Sequence, residues 1–287
     1  MKHLSLFIEL TRLKKPIGFM LLFWPCAWGL TLAFNFEKNI DLYFFYLILF
    51  FLGSILMRSA GCIVNDIFDK DFDQKVLRTK NRPLASGKIS IKLAVIYSCI
   101  LCLMALLVLL NFNYFTIILA LGSMPLAFSY PLMKRFTYWP QLFLGITFNY
   151  GLVLGWTAIY AQINLIPILM YFGAIFWTLA YDTIYGFQDF KDDEIIGLRS
   201  TSIKFKKNPI VFLNISYGIF ALSLILIGFL MKLNYYYFIF ISLAFIQMFF
   251  FQIKRLKIND PKNCLNIFKS NNFLGSIIFI SLIVGKI

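Results

Sequence analysis

The chain is 287 residues long, 60% hydrophobic and 19% aromatic, with 14% charged residues and a formal net charge of +14. A soluble domain of that length needs far more charge on its surface. The composition therefore excludes a water-soluble globular protein and points to a polytopic membrane protein. Strand-like alternation is absent, which argues against a transmembrane barrel.

Residues 1–15 come first. Leu4, Phe7, Ile8 and Thr11 recur at helical spacing and predict a short interfacial helix. A bilayer-spanning helix takes about 20 mostly apolar residues. Candidate spans follow at 17–34, 42–64, 92–110, 114–131, 141–160, 165–183, 209–230, 235–253 and 270–285, nine in all. Lys14 and Lys15 precede the first, but it is long and lacks a small-residue cleavage site, so it reads as a retained span. The leading segment is Lys-rich rather than Ser/Arg-rich, and no transit peptide is expected.

The basic residues orient these spans. With the N-terminus inside, inner segments carry 23 of the 27 Lys and Arg, outer ones carry Lys38, Lys232 and Lys286, and Arg58 alone lies within a span. That is the positive-inside pattern. An odd number of spans places the C-terminus outside, and the whole chain, 1–287, reads as one transmembrane domain with a cytoplasmic N-terminus. Topology accounts for the basic excess, so neither a nucleic-acid partner nor an obligate protein partner is expected. Cys99 and Cys102 have redox-motif spacing but lie in an apolar span without further ligands; with Cys26, Cys62 and Cys264 they read as packing. The lone His3 is terminal, which argues against a Ser-His-Asp triad. The tryptophans at 24, 28, 139, 156 and 177 read as packing and interface anchors.

The acid is concentrated. Of 13 carboxylates, nine fall in two clusters: Asp66, Asp69, Asp71 and Asp73, then Asp182, Asp189, Asp192, Asp193 and Glu194. Each begins at the inner end of a span. At 100° per residue, Asp66, Asp69 and Asp73 fall within about 60° on a helix and Asp71 opposite. Asp182, Tyr185, Asp189 and Asp193 fall within about 80°. Rows of like charge repel unless neutralised, and carboxylate oxygens suit Mg²⁺, which completes its shell with water and substrate phosphate. Solvated loop acid is the bland alternative, and salt bridging with neighbouring Lys and Arg another, chiefly for Asp71, Asp192 and Glu194. Arg78, Lys80 and Arg82 follow the first cluster, Lys134 and Arg135 sit between the fourth and fifth spans, and Arg199 and Lys204 follow the second. Guanidinium forks match phosphate oxygens. Together these describe a diphosphate site at a membrane surface, with Arg82-Pro83 and Ser86-Gly87 bending the loop back over it. The parallel between the clusters hints at an internal duplication.

These residues carry a resemblance. "NDIFDKDFD" and "DTIYGFQDFKDD" resemble the two aspartate signatures of the UbiA superfamily of intramembrane prenyltransferases. "RLKKPIG", "LLFWP", "MRSAGCIVND", "RTKNRPLASG", "YPLMKR", "IGLRSTS" and "SNNFLG", in order from Arg12 to Gly275, resemble its 4-hydroxybenzoate branch. The resemblance implies an all-α fold of nine transmembrane helices around a central cavity that opens laterally to lipid. It implies a Mg²⁺-assisted loss of diphosphate from a long polyprenyl diphosphate, and attack of the allylic cation on 4-hydroxybenzoate next to its hydroxyl, in ubiquinone biosynthesis. It implies metal binding at Asn65, Asp66, Asp69, Asp73, Asp182, Asp189 and Asp193, and catalytic roles for Asp69, Asp73, Asp189, Asp193 and Arg135. Diphosphate binding is expected at Arg78, Arg82, Tyr130, Lys134, Arg135 and Arg199, with Tyr130 and Lys134 matching the family's YxxxK. Arg58 and Asn65 are the expected acceptor-binding residues.

Arg58 also stands out by position. An intramembrane arginine is costly and usually functional. It lies two turns before Asn65 and so about 10 Å deeper on the same side. Snorkelling to the interface or a structural ion pair is the alternative. Rival readings are a haem, menaquinone or chlorophyll branch of the same superfamily, and a transporter, marked by polar residues and broken helices at mid-membrane. The expected setting is a bacterial cytoplasmic membrane with the site on the cytoplasmic side.

Overall fold

The computed structural model describes residues 2–37 and 39–287; Lys38, counted above among the outer cations, lies outside them. A short helix, α1 (Lys2–Leu10), leads into α2 (Ile17–Ala33), α3 (Ile40–Asp73) and α4 (Ile91–Leu109). A broken stretch follows: α5 (Tyr114–Gly122), α6 (Met124–Ser129), a 3-10 turn (Tyr130–Leu132) and α7 (Met133–Phe136). Next come α8 (Pro140–Tyr160), α9 (Leu165–Gly186), and the short α10 (Phe190–Ile195) and α11 (Thr201–Lys204). α12 (Pro209–Leu230), α13 (Tyr235–Ile246), a π-helical turn (Gln247–Ile253) and α14 (Pro261–Lys286) complete the chain. Among the described residues there is no strand.

Eight helical stretches are long and apolar enough to cross a membrane, and Ile17–Ala33, at 17 residues, supplies a ninth. Each expected span has its helix, but three differ in extent. α3 does not stop near residue 64; it runs unbroken to Asp73, 34 residues or about 51 Å. The first acid row therefore rides on the end of a membrane helix longer than the bilayer is thick. α14 starts at Pro261, where the Asp260 side chain accepts from the amides of Lys262 and Asn263. The 114–136 stretch breaks where Pro125 and Pro131 remove amide donors and crowd the preceding turn.

α2 and α8 pack at the centre. A Cβ at Gly155 would overlap the Cys26 and Leu30 backbone, and one at Gly29 the Leu152 carbonyl. Small residues thus let the two backbones meet, as in membrane helix pairs generally. Trp28, Trp177 and Phe220 stack beside this contact and are fully buried. At the outer end, Lys286 donates to the carbonyls of Thr31, Leu32 and Phe34, capping the C-terminus of α2. At the other end, α1 lies against α3 and α4, with Leu10 buried, Phe7 edge-on to Tyr97 and Leu4 exposed.

Candidate functional site

The inner end of α3 presents its acids as the helical period requires. Asp66, Asp69 and Asp73 are 2%, 3% and 7% exposed, while Asp71 faces outward. Each buried carboxylate holds a cation. Asp66 accepts from Arg12 Nη2 at 2.5 Å and Arg82 Nη1 at 3.1 Å. The same Arg82 nitrogen reaches Asp73 at 2.7 Å. Lys134 Nζ lies 2.6 Å from Asp69 Oδ2. The loop after α3 does fold back over the row: Gln74 donates to the Ala85 carbonyl and Thr79 to the Asp73 carbonyl.

The second acid segment departs from expectation. Asp182, Tyr185, Asp189 and Asp193 do not share one continuous helix, because α9 ends at Gly186 and the chain turns before α10. Asp182 and Tyr185 sit on the last turns of α9, Asp189 precedes α10, and Asp193 lies within it. Arg78 closes the gap between the two segments. Its Nε lies 2.8 and 2.7 Å from the two Asp189 oxygens, its Nη2 also bonds Asp189, and its Nη1 donates to the Tyr185 hydroxyl at 3.1 Å. Burial opposes the Arg78 charge, but Tyr185 and Asp189 outweigh it and raise its pKa above the ordinary value. Burial, then the Asp189 charge, pushes the Asp193 acid up to about 6, against the pull of Lys134 and Arg78.

Beneath the polar end lies a cavity of about 640 Å³, lined chiefly by apolar side chains of α3, α4, α5, α6 and α8. From Gly61 at its inner end to Leu49 at its outer end it follows α3 for about 18 Å. Arg58 and Tyr130 line it near the acid rows. The Arg58 guanidinium lies 5.3 Å from the Phe148 ring centroid, and its buried Nε has no hydrogen-bond partner. Among the described residues Arg58 makes no ion pair, so it is not spent on a structural bridge. Gly18 gives it room: a Cβ there would sit 2.8 Å from Arg58 Nε.

The remaining expected residues divide. Arg135 donates to the Phe68 carbonyl at 2.5 Å and lies over Phe72, so the Lys134–Arg135 turn grips the inner end of α3. Asn65 lies on α3, one residue before Asp66, and its side chain has no hydrogen-bond partner among the described residues. Glu194 pairs with Lys206 at 2.6 Å, as the salt-bridge alternative foresaw. Arg199 makes no ion pair with either acid row among the described residues: its guanidinium donates to the Phe136 carbonyl and lies over Tyr138. Lys204 sits 4.5 Å over Trp139. Sequence reasoning missed Arg12, counted there only as an inner charge; "RLKKPIG" was the available signal. It missed Gly18, the last residue of that same motif, and Phe148, which has no local signature.

The donor set fits a hard cation, with a change of partners. Among the described residues no three acids stand close enough to hold a metal as they are, since each buried acid of α3 already has a cation. Yet Asp69 Oδ1 is buried and has no hydrogen-bond partner, the kind of oxygen a divalent ion satisfies. All the donors are oxygens, with no thiolate or imidazole among them, which favours Mg²⁺ over zinc.

A helical membrane bundle with an apolar cavity that reaches Arg58 and Tyr130, below carboxylates paired with guanidiniums, suits an amphipathic anion drawn from lipid. A family model described as "UbiA prenyltransferase family" matches residues 22–282. The chain belongs to that family, and it is an integral membrane protein. It is 42% identical over 289 residues to human mitochondrial 4-hydroxybenzoate polyprenyltransferase, covering 100% of this chain and 76% of the relative. Its fold is similar to a UbiA homolog from Aeropyrum pernix K1 (TM-score 0.76, 22% identity, 92% of this chain and 97% of that one). It is also similar to a UbiA homolog from Archaeoglobus fulgidus bound to GPP and Mg²⁺ (TM-score 0.68, 20% identity, 97% and 99%). The break in the 114–136 stretch, a mark expected of a transporter, instead carries Tyr130 and Lys134 towards α3.

Proposed function

We propose that this chain transfers a polyprenyl group from polyprenyl diphosphate to 4-hydroxybenzoate, at the ring carbon beside the hydroxyl, with release of diphosphate, in ubiquinone biosynthesis. The observation that carries this reading is one cavity with two unlike ends. Its wall is apolar for about 18 Å along α3, and Arg58 and Tyr130 line its inner end, about two helical turns below Asn65 and the first acid row.

The roles follow from position. Asn65, Asp66, Asp69 and Asp73 on one side, with Asp182, Asp189 and Asp193 on the other, would hold Mg²⁺. Bound there, the metal would neutralise the diphosphate and make it a leaving group. Arg78 and Arg82 now satisfy Asp189 and Asp73. Once those acids have another counter-charge, both guanidiniums are free to bind phosphate oxygens, with Tyr130, Lys134 and Arg135 completing the set. The apolar wall keeps water from the allylic cation, and the Phe148 face lies beside Arg58 where the acceptor would sit. Arg58, charged and lacking an ion-pair partner, binds the acceptor carboxylate. The phenol activates the ring, so attack requires no strong base, and Asp189 or released diphosphate takes the ring proton.

The relative named above is mitochondrial. The charge asymmetry of this chain supports a site on the same side of the membrane as its N-terminus; a bacterial cytoplasmic membrane, with that side cytoplasmic, and one transmembrane domain over 1–287 are part of the same proposal. The test is purified protein in lipid with labelled polyprenyl diphosphate, Mg²⁺ and 4-hydroxybenzoate. Prenylated benzoate and acceptor-dependent release of diphosphate are expected. Transfer to a naphthoate or haem acceptor instead would move the chain to another branch, and no release with any acceptor would overturn the reading.

A further inference from the structure

The segment "IGLRSTS" joins parts of the site that are far apart in sequence. It begins where α10 ends. Gly197 adopts φ +78°, the left-handed region that favours glycine, and its amide bonds the Glu194 carbonyl while the Leu198 amide bonds that of Asp193. This double closure fixes the exit from the helix that carries Asp193. Three residues on, the chain is fixed again. The Thr201 amide donates to Gln141 Oε1 at 3.0 Å, the Thr201 and Thr183 hydroxyls lie 2.6 Å apart, and Ser202 Oγ donates to the Thr183 carbonyl at 2.8 Å. All four of these side chains are buried. Arg199 lies between the two anchors and points elsewhere.

Two donors of Arg199 go to the short helix α7. Its amide reaches the Lys134 carbonyl at 2.9 Å, and its Nη1 reaches the Phe136 carbonyl at 2.9 Å. Carbonyls in the last turn of a helix have no intrahelical partner, and a cation there also meets the negative end of the dipole. Capping α7 sets the direction of Lys134, whose ammonium holds Asp69 of the first acid row. A continuous path therefore runs from Asp193 through Gly197 and Arg199 to Lys134 and Asp69.

We propose that Arg199 is a positioning residue, which fixes Lys134 on Asp69 from the Asp193 side and so sets the spacing of the two acid segments. The proposal rests on the reading of those segments as the metal–diphosphate site. It differs from a phosphate ligand in a measurable way. A ligand acts on diphosphate directly; Arg199 acts through Lys134. Its guanidinium is partly in water, and water can replace part of its bond, so the effect is moderate.

The test is a set of Arg199→Ala, Arg199→Lys, Lys134→Ala and Arg199→Ala/Lys134→Ala proteins, each shown to be folded. Two readouts are taken. The first is steady-state kinetics with each substrate varied. Arg199→Ala should lower kcat about 3- to 10-fold with little change in the KM for polyprenyl diphosphate, the loss of one charge-assisted bond at an accessible site. Arg199→Lys should recover most of it, since a single donor suffices at Phe136. In the Lys134→Ala background, Arg199→Ala should cost under about 1.5-fold, because residues acting in series are not additive. The second readout needs no turnover: acylation of Lys134 by a water-soluble amine reagent, followed by mass spectrometry with exposed Lys80 as control. Arg199→Ala should speed labelling of Lys134 several-fold and leave Lys80 unchanged. Additive losses, or a rise in KM for the diphosphate with Lys134 labelling unchanged, would make Arg199 a ligand and overturn the proposal. If no variant, wild type included, transfers prenyl groups, the functional reading fails, and the labelling alone decides the positioning link.

Discussion

Arg78 and Asp189, 111 residues apart, are joined by a side-on ion pair in which Arg78 also donates to the Tyr185 hydroxyl. Among the described residues it is the one ion pair that links the loop after α3 to the segment after α9. The same guanidinium that ties the two halves together is a phosphate-type fork. The bridge is therefore both a structural tie and a reserve of positive charge for the substrate.

The acid rows carry the first expectation. Asp69→Ala, Asp73→Ala, Asp189→Ala and Asp193→Ala should each lower turnover by roughly 100-fold or more, the scale for removing one group that stabilises developing charge. Asp71→Ala should keep most activity, because Asp71 faces outward while Asp69 and Asp73 are buried. Transfer assays on folded protein decide. A loss at Asp71 equal to that at Asp69 would mean that the helical face does not set the role.

Metal dependence has a pH signature. EDTA should abolish transfer and Mg²⁺ restore it. The Asp193 acid is pushed up to about 6, so below that pH it is protonated and a metal must displace the proton. The Mg²⁺ concentration for half-activity should rise as pH falls from 7.5 to 5, by at most about 10-fold per unit for this group. Without metal the sign for stability is unusual for an acid. The folded group keeps its proton up to about 6, whereas the ordinary value is 3.8, so ionised Asp193 costs stability above pH 6 and the cost is relieved progressively as pH falls from about 6 to 3.8. Magnesium titrations at three pH values, on wild type and Asp193→Asn, check the first part; a half-activity concentration flat in pH would remove Asp193 from the metal set.

Orientation is tested by cysteine labels in a background lacking the five native cysteines. Labels at Ser86 and Lys206 should react only from the cytoplasmic side, and one at Tyr235 only from the other. Tyr235 is chosen over Asn234 because Asn234 accepts from the Tyr236 amide and donates to the Val284 carbonyl, so replacing it would disturb α13. Labelling on the opposite sides would reverse the topology.

Acceptor recognition is assigned to Arg58. Arg58→Ala should raise the requirement for 4-hydroxybenzoate about 10- to 150-fold, the value of a charge-assisted hydrogen bond, with the diphosphate requirement little changed. Arg58→Lys should recover part of it, because an ammonium lacks the planar fork. Gly18→Ala should act in the same direction, since its Cβ would crowd Arg58 Nε. If these variants weaken diphosphate use and spare the acceptor, Arg58 belongs to the phosphate-binding cations.

Local pattern settled much of this protein. Runs of about 20 apolar residues, the bias of Lys and Arg to one side, and the 3.6-residue period are properties of neighbouring residues. They therefore placed the nine spans, and put Asp66, Asp69 and Asp73 on one face with Asp71 on the other. What only the tertiary structure decided is which charge meets which. The period ran on through Asp193 on paper, but α9 ends at Gly186 and the chain turns before α10. Arg12 meets Asp66 across 54 positions, Arg199 meets the Phe136 carbonyl across 63, and Arg78 meets Asp189 across 111. Ion pairs and caps of this kind form where packing brings distant backbones within a few ångströms, and no spacing along the chain encodes that distance.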